Sequence, residues 1–473
     1  MGAERPSIVW FRHDLRLADN PALSAAIERG GPVVCVFVWA PDEEGDWPPG
    51  AASRWWLHHS LESLDAQLRE RGNQLVVRRG PTIEALQSLA KATGADTVYW
   101  NRRYEPAVVR RDADVLRALK NDGVQVEHSN SALLFEPWDV ETGQGTPYQV
   151  FTPFWKSCLA KDGPADLLPA PETIPAVESA PSSLAIDELA LLPKIPWDRG
   201  FYDVWQPGEP EAVQELDRFV SERMTDYAEA RDVPAEPGTS RLSPRLHFGE
   251  IGPRQVWHAA KQASPRSKST AVFLSEIGWR EFAHHVLHHF PHTTQAPLRE
   301  RFEKFPWKKD AGGLKAWQQG RTGFPIVDAG MRELWEIGWM HNRVRMIVGS
   351  FLTKDLLISW REGAAWFWDT LVDADLANNS LGWQWIAGCG ADAAPFFRVF
   401  NPMSQGKKFD GDGGYVRRWV PELEGLSDRS IHEPWSAKAG ELDDAGITLG
   451  QAYPEPIVDH AQARKRALEA YGQ

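Results

Sequence analysis

Two stretches near the start of the chain, SIVWF at Ser7–Phe11 and VVCVFVW at Val33–Trp39, decide the first part of the fold. Continuous runs of β-branched and aromatic residues are typical of strands buried on both faces of a sheet. Three more such runs follow, at Gln74–Val77, Thr97–Trp100 and Val124–Glu127. Helical patterns separate them, as at Ser53–Arg71 and Glu105–Asn121. The alternation predicts an α/β domain with a parallel, five-stranded, Rossmann-like sheet.

The rest of the chain divides into a connector and a helical domain. Between Gly163 and Pro196 there are seven prolines and little periodicity, which is typical of a connector. After it, strand signals fade and helical patterns dominate, at Glu211–Tyr227, Ser269–Phe290, Phe324–Gly338 and Trp360–Leu371. We therefore predict an α/β domain over residues 1–135, a connector over residues 136–206 and a larger all-α domain over residues 207–473.

Composition excludes several classes of protein. The chain has 473 residues, and 42% hydrophobic and 25% charged residues are typical of a folded globular protein. The longest apolar run, Val33–Ala40, is too short to cross a membrane, and no export leader is recognisable. Cys35, Cys158 and Cys389 lie far apart, which argues against a disulfide framework and a cysteine metal site. We expect a cytoplasmic protein without a metal.

The charge of the chain is unevenly distributed. The whole chain carries a net charge of -13. Residues 241–348, however, carry 17 basic and 9 acidic side chains, a net of +8. This segment could present a positive face to a phosphate backbone, or it could be a solvated helical surface of mixed charge.

Four polar clusters of the helical domain could carry chemistry. In Thr239–Gly249, hydroxyls and an arginine precede Pro244, a residue that favours the first turn of a helix. These groups could bind an anion at the start of the helix, or they could simply cap it. In the second cluster, Glu276 and Arg280 are four residues apart and could form a surface ion pair. The third cluster is Trp339–Met346. The fourth, Asp373–Trp385, has paired carboxylates that suggest acid–base work or, less well, a metal.

The histidines of helix segment 284–289 are a separate case. His284 and His288, and His285 and His289, have the spacing of a zinc helix, but the two pairs point in different directions and no HExxH pattern occurs. We interpret them as structural or solvent-facing.

Taken together, these clusters resemble the photolyase and cryptochrome family over almost the whole chain. The first segment that carries the resemblance is Val9–Asn20. The later ones follow in the family's order: Thr239–Ser243, Trp279–Phe282, Met340–Met346, Asp373–Trp385 and Phe400–Pro402. The domain plan derived above is also that of the family.

The resemblance implies FAD bound in a bent shape within the helical domain. Its diphosphate would lie on Thr239, Ser240, Arg241, Leu242 and Ser243, with Tyr227 nearby. Arg345 would pair with Asp373, and the flavin and its ribose would lie beside Asp373, Ala374, Asp375 and Arg280. Asn379 matches the position facing the flavin's reactive ring nitrogen. Plant cryptochromes carry an aspartate there, so Asn379 favours repair over signalling.

The substrate that the resemblance implies is a cyclobutane pyrimidine dimer in DNA. Enzymes that repair (6-4) photoproducts have two histidines where this chain has Asn342 and Met346. A flipped dimer needs flat apolar walls, here Trp279 and Trp385, and hydrogen-bond partners, here Glu276 and Asn342. The contacts to the DNA strand would be Arg231, Arg343, Arg398, Gln405 and Lys408.

The implied reaction is light-driven electron transfer from reduced FAD to the dimer, after which the cyclobutane ring splits and the electron returns. On this resemblance Glu276, Asn342, Met346 and Asn379 are the catalytic residues, and Trp307, Trp360 and Trp383 form a tryptophan chain that passes electrons to an oxidised flavin. We expect the protein to act as a monomer.

An antenna chromophore and a rival function stay open. The segments Trp39–Gly45 and Ser53–Leu57 resemble plant cryptochromes and the bacterial photolyases related to them. This resemblance implies methenyltetrahydrofolate as the antenna, held by Glu43 or Glu44, but both residues could equally be solvated charges of a loop. A deazaflavin is the alternative antenna chromophore. One rival is a blue-light photoreceptor of the cryptochrome type without repair, and a nearer one is a member of the family that prefers single-stranded DNA. Such sensors usually add a long C-terminal extension, and this chain ends 50 residues after Leu423.

Overall fold

The computed structural model describes residues 5–393 and 397–472. Its first domain contains one sheet of five parallel strands in the order β3-β2-β1-β4-β5. The predicted fold class is confirmed, and each predicted strand is present within two residues of its expected bounds. The strands are β1 (Ser7–Phe11), β2 (Val33–Trp39), β3 (Leu75–Arg79), β4 (Thr97–Asn101) and β5 (Gln125–Ser129).

Four helices cover both faces of this sheet. They are α1 (Pro21–Arg29), α2 (Ala51–Glu70), α3 (Thr82–Thr93) and α4 (Pro106–Asn121). Alternate residues of β1 enter different cores: Val9 and Phe11 pack with residues of α1 and α2, whereas Ile8 and Trp10 pack with residues of α3 and α4. A strand buried on both faces must be apolar at every position, which explains the continuous apolar runs in the sequence.

The segment between the domains is more ordered than its composition suggests. It contains the helices α5 (Phe151–Leu159) and α6 (Arg199–Val204) and a short turn of helix at Ile186–Leu189. Ile174 and Leu189 are buried in the core beneath the sheet. The prolines prevent regular structure here, but they do not prevent apolar side chains from packing on the sheet domain.

The second domain is helical throughout its described part. The predicted helix Glu211–Tyr227 is broken into two helices, α7 (Glu209–Arg218) and α8 (Tyr227–Ala230). A π-helical turn, Phe219–Arg223, and a 3-10 turn, Met224–Asp226, separate them. The helices are α7 (Glu209–Arg218), α8 (Tyr227–Ala230), α9 (Ser243–His247), α10 (Pro253–Ala263), α11 (Lys268–His289), α12 (Ala311–Gln318), α13 (Pro325–Ile337), α14 (Asn342–Ser350), α15 (Trp360–Thr370), α16 (Leu376–Ala387), α17 (Pro402–Phe409), α18 (Gly414–Trp419), α19 (Ala439–Asp444) and α20 (His460–Gly472).

A buried polar contact joins the two domains. Glu250 accepts hydrogen bonds from the Trp56 indole of α2 at 2.9 Å and from the Gly208 amide at 2.7 Å, and it pairs with Arg245 at 3.1 Å. The domains therefore share a fixed interface beside the helical core. Within residues 5–393 and 397–472, no helix combines the length and apolar composition needed to cross a membrane.

Candidate active site

A cavity of about 570 Å³ opens within the helical domain. Its volume lies in the range of sites for small molecules and cofactors. Helices α11, α14 and α16 supply most of the wall, and the stretch before α9 supplies one end. The predicted site residues that line it are Tyr227, Arg231, Ser240, Leu242, Ser243, Glu276, Trp279, Arg280, Asn342, Arg343, Arg345, Met346, Asp373, Ala374, Asp375, Asn379, Trp383 and Trp385.

The stretch predicted to hold a diphosphate reaches the cavity in part. Ser240, Leu242 and Ser243 line the wall. Arg241 has a φ of 52°, in the left-handed region that a non-glycine residue seldom adopts, and its guanidinium lies 4.9 Å from the centre of the Trp339 ring. This backbone turn directs the Arg241 side chain over that ring, outside the lining. Thr239 is also outside it, and its carbonyl accepts a hydrogen bond from Arg223 at 3.3 Å.

Arg345 and Asp373 form a two-pronged ion pair in the cavity wall. The guanidinium nitrogens lie 3.1 and 2.8 Å from the two carboxylate oxygens. Arg345 Nε also donates to the Met340 carbonyl at 2.7 Å, which fixes the plane of the guanidinium. The pair thus places a fixed array of donors and acceptors at the surface of the cavity.

Asp375 is a buried anion at the start of α16. Its Oδ1 accepts a hydrogen bond from the Asn378 amide at 2.8 Å, and its Oδ2 lies 3.6 Å from His247 Nδ1 and 3.7 Å from His284 Nε2. Burial alone would raise the pKa of Asp375, but these imidazoles and Arg280 hold it well below its usual range. The carboxylate is therefore ionised.

Asn379 keeps its carbonyl oxygen and one of its two amide hydrogens available for further hydrogen bonds. Its Nδ2 donates to the Ala364 carbonyl of α15 at 3.0 Å. This bond fixes the rotamer of the amide. The side chain stays neutral at any pH, unlike an aspartate at the same place.

The mouth of the cavity is charged. Arg231 pairs with Glu276 at 2.6 Å, and Arg343 pairs with Asp232 at 2.7 Å. The surface pair between Glu276 and Arg280, which their spacing would allow, does not form. Arg280 instead donates to the Ala132 carbonyl at 2.6 Å, because the end of the sheet domain lies against α11 there.

Flat aromatic and small polar side chains form the outer wall. The Trp279 ring is stacked on Phe151 of α5, with centroids 3.9 Å apart and planes 10° apart. Gly278 allows α11 to approach the Trp155 ring of α5, because a Cβ on Gly278 would lie 2.6 Å from atoms of that ring. Trp385 of α16 and Asn342 of α14 line the same cavity.

Three predicted DNA contacts lie outside the cavity lining. Lys408 and Arg343 both lie over the Phe409 ring, at 4.9 and 4.4 Å, so α17 meets the mouth through this aromatic residue. Gln405 is half-buried on the same helix, and Arg398 is exposed with its guanidinium 5.0 Å from the Phe400 ring.

The three tryptophans predicted to carry electrons belong to one hydrophobic cluster. Trp383 and Trp360 are buried members, and Trp307 is half-buried against the cluster. Trp383 lines the cavity, so this aromatic cluster extends from the cavity wall to a partly exposed residue. The buried Trp317 ring also meets Trp383, with centroids 6.1 Å apart.

A second, narrow cleft separates the two domains. It encloses about 40 Å³. Arg12 and His13 follow β1, Ala40 follows β2 and Arg103 follows β4, so the cleft lies at the carboxyl ends of neighbouring strands. Ligands of open parallel sheets bind at such ends. Trp368 closes the cleft from the helical domain.

The two glutamates predicted near an antenna have different surroundings. Glu44 lines the cleft and accepts two hydrogen bonds from Arg103, at 2.8 and 2.9 Å. Glu43 instead accepts from the Thr82 amide at 2.8 Å and from the Thr82 hydroxyl, at the start of α3.

The histidines of α11 hold the connector. His285 accepts a hydrogen bond from the Tyr148 amide at 3.0 Å, and its other nitrogen lies 3.1 Å from the Pro137 carbonyl. His289 contacts the same carbonyl at 3.1 Å. These contacts agree with a structural role.

Sequence reasoning missed several residues of the site. Phe151 supports Trp279 from the connector, and His247 and Asn378 contact Asp375. His247 follows the Ser-Pro helix start and Asn378 lies in the Asp-rich cluster, so their neighbours in sequence were a usable signal. Phe151 carries no local signal, because it meets Trp279 from a distant part of the chain.

Two family models and several curated proteins match this chain. The family model described as DNA photolyase matches residues 7–175, and that described as the FAD binding domain of DNA photolyase matches residues 273–473. A deoxyribodipyrimidine photo-lyase of Agrobacterium fabrum is 50% identical over 469 residues, which are 98% of this chain and 97% of the relative. Cryptochrome-1 of Arabidopsis thaliana is 42% identical over 483 residues, covering 99% of this chain and 70% of that protein.

Solved structures extend the similarity to three dimensions. The crystal structure of a bacterial class III photolyase from Agrobacterium tumefaciens superposes with a TM-score of 0.97 at 49% identity, over 100% of this chain and 98% of that one. A cryptochrome from Synechocystis superposes with a TM-score of 0.90 at 30% identity, over 99% and 100% of the two chains.

Proposed function

The chain belongs to the photolyase and cryptochrome family, and on this premise we propose that it repairs cyclobutane pyrimidine dimers in DNA under blue light. Its curated relatives include enzymes of DNA repair named as photolyases, at up to 50% identity over nearly the full chain. One observation carries the proposal: a single cavity combines an inner wall suited to FAD with a mouth of aromatic, hydrogen-bonding and cationic side chains.

The inner part of the cavity fits FAD. Ser240 and Ser243 offer hydroxyls to a diphosphate, and the Arg345–Asp373 pair offers paired donors and acceptors to a flavin edge. His247 Nδ1 is buried without a hydrogen-bond partner in the described part of the chain and lies beside Asp375. When bound and reduced, FAD supplies the light-excited electron donor of the reaction.

The outer part of the cavity suits a flipped pyrimidine dimer. Trp279, held flat by Phe151, and Trp385 provide apolar surfaces for the two fused rings. Glu276 and Asn342 provide a carboxylate and an amide for the imide and carbonyl edges of the bases. Met346, which lines the same cavity, adds an apolar contact. The protein thus orients the dimer and excludes water, and the cofactor performs the chemistry.

Cationic side chains around the mouth suit the DNA strand. Arg231 and Arg343 line the cavity, and Lys408 shares the Phe409 ring with Arg343. Arg398 and Gln405 would extend this contact along the backbone. Contacts of this kind fix the register of the strand but do not read its sequence.

We further propose that Trp307, Trp360 and Trp383 carry electrons to the flavin. Their membership of one hydrophobic cluster, which reaches the cavity at Trp383, supports this role. We also propose that the protein acts as a monomer in the cytoplasm, a reducing compartment in which buried free thiols such as Cys35, Cys158 and Cys389 are typical.

We propose methenyltetrahydrofolate as an antenna in the cleft between the domains. Aromatic side chains, arginines and Glu44 suit a flat pterin ring with an amino edge. The cleft encloses about 40 Å³, which is less than a pterin ring needs, so it must widen to admit the folate. After the folate is added to FAD-bound protein and the mixture is gel-filtered, the protein fraction should carry a near-ultraviolet absorption band whose excitation reaches the flavin. If all of the folate elutes separately from the protein, the antenna proposal is wrong.

Light-dependent repair tests the main proposal. FAD-bound protein, reductant and a duplex with one thymine dimer are illuminated with blue light, with a dark reaction as control. The return of thymine absorbance only in the light is expected. Full retention of the dimer in both reactions would overturn the proposal.

A blue-light photoreceptor is the second candidate. The 42% identity to Cryptochrome-1 over 99% of this chain favours it. It predicts a flavin that is photoreduced without repair of the dimer, so the same experiment separates the two functions.

A further inference from the structure

Two arginines at the mouth of the cavity are already paired with carboxylates in the protein alone. Arg231 lies 2.6 Å from Glu276, with the side chains 20% and 30% exposed. Arg343 lies 2.7 Å from Asp232, with the side chains 22% and 39% exposed. The pairs match in distance and exposure. They differ in where the carboxylate lies: Glu276 lines the cavity, whereas Asp232 lies outside the lining.

The guanidinium of Arg231 cannot serve Glu276 and a DNA phosphate equally. It is held between Glu276 and the Tyr227 ring, whose centre lies 5.5 Å away. If a DNA phosphate pairs with the guanidinium instead, Glu276 is left as an unpaired carboxylate in a partly buried wall, close to the negative charge of that phosphate. Removing the partner of a hydrogen-bonded charge pair is strongly unfavourable.

We propose that Glu276 releases Arg231 to the DNA backbone only when a dimer occupies the cavity. This inference rests on the proposed function. The imide N–H groups of a flipped dimer give Glu276 new hydrogen-bond donors, so that Arg231 can turn to a phosphate beside the lesion. Undamaged DNA puts no donor into the cavity, and Arg231 then stays on Glu276. The ion pair is thus a determinant of specificity for damaged DNA.

The salt dependence of binding reports this release directly. Each phosphate neutralised by a lysine or arginine steepens the slope of log K against log salt by about 0.9 for duplex DNA. The wild-type, FAD-bound protein is titrated in the dark with two duplexes of one sequence, with and without a thymine dimer. We expect the slope for the damaged duplex to be steeper by about 0.9, which corresponds to one additional phosphate contact.

Two variants separate this effect from general electrostatics. Glu276→Gln keeps a hydrogen-bonding side chain of similar size but lacks the charge, so Arg231 is free for either duplex. The slopes should then become equal, and undamaged DNA should bind about eightfold more tightly at 0.1 M salt. In the matched control, Asp232→Asn, Arg343 becomes free for both duplexes. Both slopes should steepen together, and their difference should remain.

The outcomes are distinct. Equal slopes in a wild-type protein that still prefers the damaged duplex would overturn the inference alone, as would a slope difference that survives in Glu276→Gln. A wild-type protein without any preference for the damaged duplex would overturn the proposed function as well. The flavin absorbance of each variant verifies that its cavity is folded.

Discussion

At the scale of single residues, the buried carboxylate Glu281 ties the sheet domain to helix α11. Its Oε2 accepts hydrogen bonds from the amides of Leu134 and Phe135, at 2.9 and 3.1 Å. Its Oε1 has no hydrogen-bond partner within the described ranges and lies 3.8 Å from the Arg280 guanidinium. Burial raises the pKa of Glu281 to about 7, against the opposing effect of Arg280. The folded protein therefore retains a proton that the unfolded chain releases above about pH 4.5.

This proton makes the stability depend on pH. Because the folded-state pKa is raised, the stabilising contribution is complete below about pH 4.5 and is lost as the pH rises to about 7. The Glu281→Gln variant, whose amide resembles the protonated acid, should keep this stability at every pH. Between pH 5 and 8 the free energy of unfolding of the wild type should fall by up to about 3 kcal/mol relative to that of the variant, as measured by urea denaturation. Parallel pH profiles for the two proteins would contradict this.

At the scale of helices, α15 and α16 approach each other at a glycine. A Cβ on Gly363 would lie 2.1 Å from the Trp383 ring, far closer than two carbon atoms can approach. The same crossing contains the hydrogen bond from Asn379 to the Ala364 carbonyl. One close contact between helices thus orients both an amide and an indole of the cavity wall.

Gly363→Ala should therefore damage both the packing and the site. Forcing a methyl group into a filled core costs about 1–3 kcal/mol, and the displaced Trp383 should weaken the retention of FAD. The thermal midpoint and the FAD content after gel filtration measure the two effects. Gly440→Ala is the control, because a Cβ there meets nothing within 4 Å. A Gly363→Ala protein with wild-type values would refute the argument.

The sequence predicts the strands of this protein better than the ends of its helices and the contacts between them. The strands are predictable because burial on both faces demands a continuous apolar run, as in Val33–Trp39. Helix α7 ends earlier than its periodicity suggests, because a π-helical turn at Phe219–Arg223 keeps an almost helical pattern of side chains. The pairing of Arg231 with Glu276 is a contact between α11 and the chain after α8, and local spacing favours Arg280 instead.

At the scale of the whole molecule, the two domains are held together by a buried charge. Glu250 is fully buried, and it contacts Arg245 and Gly208 from the helical domain and Trp56 from helix α2 of the sheet domain. The hydroxyl of Ser60, also on α2, donates to the same carboxylate. The positions of the cavity and of the cleft between the domains both depend on this interface.

Removing the Glu250 carboxylate should therefore separate the unfolding of the domains. Glu250→Ala leaves Arg245 buried without its partner, which costs about 3–5 kcal/mol, and it takes the acceptor from the Trp56 indole. In the wild type we expect FAD release and the loss of tryptophan fluorescence to coincide in one thermal transition. In Glu250→Ala the transition should move to lower temperature and divide in two. Glu229→Ala is the control: its pair with Lys268, 72% and 77% exposed, should contribute less than about 1 kcal/mol. If both variants unfold at the same temperature as the wild type, Glu250 does not couple the domains.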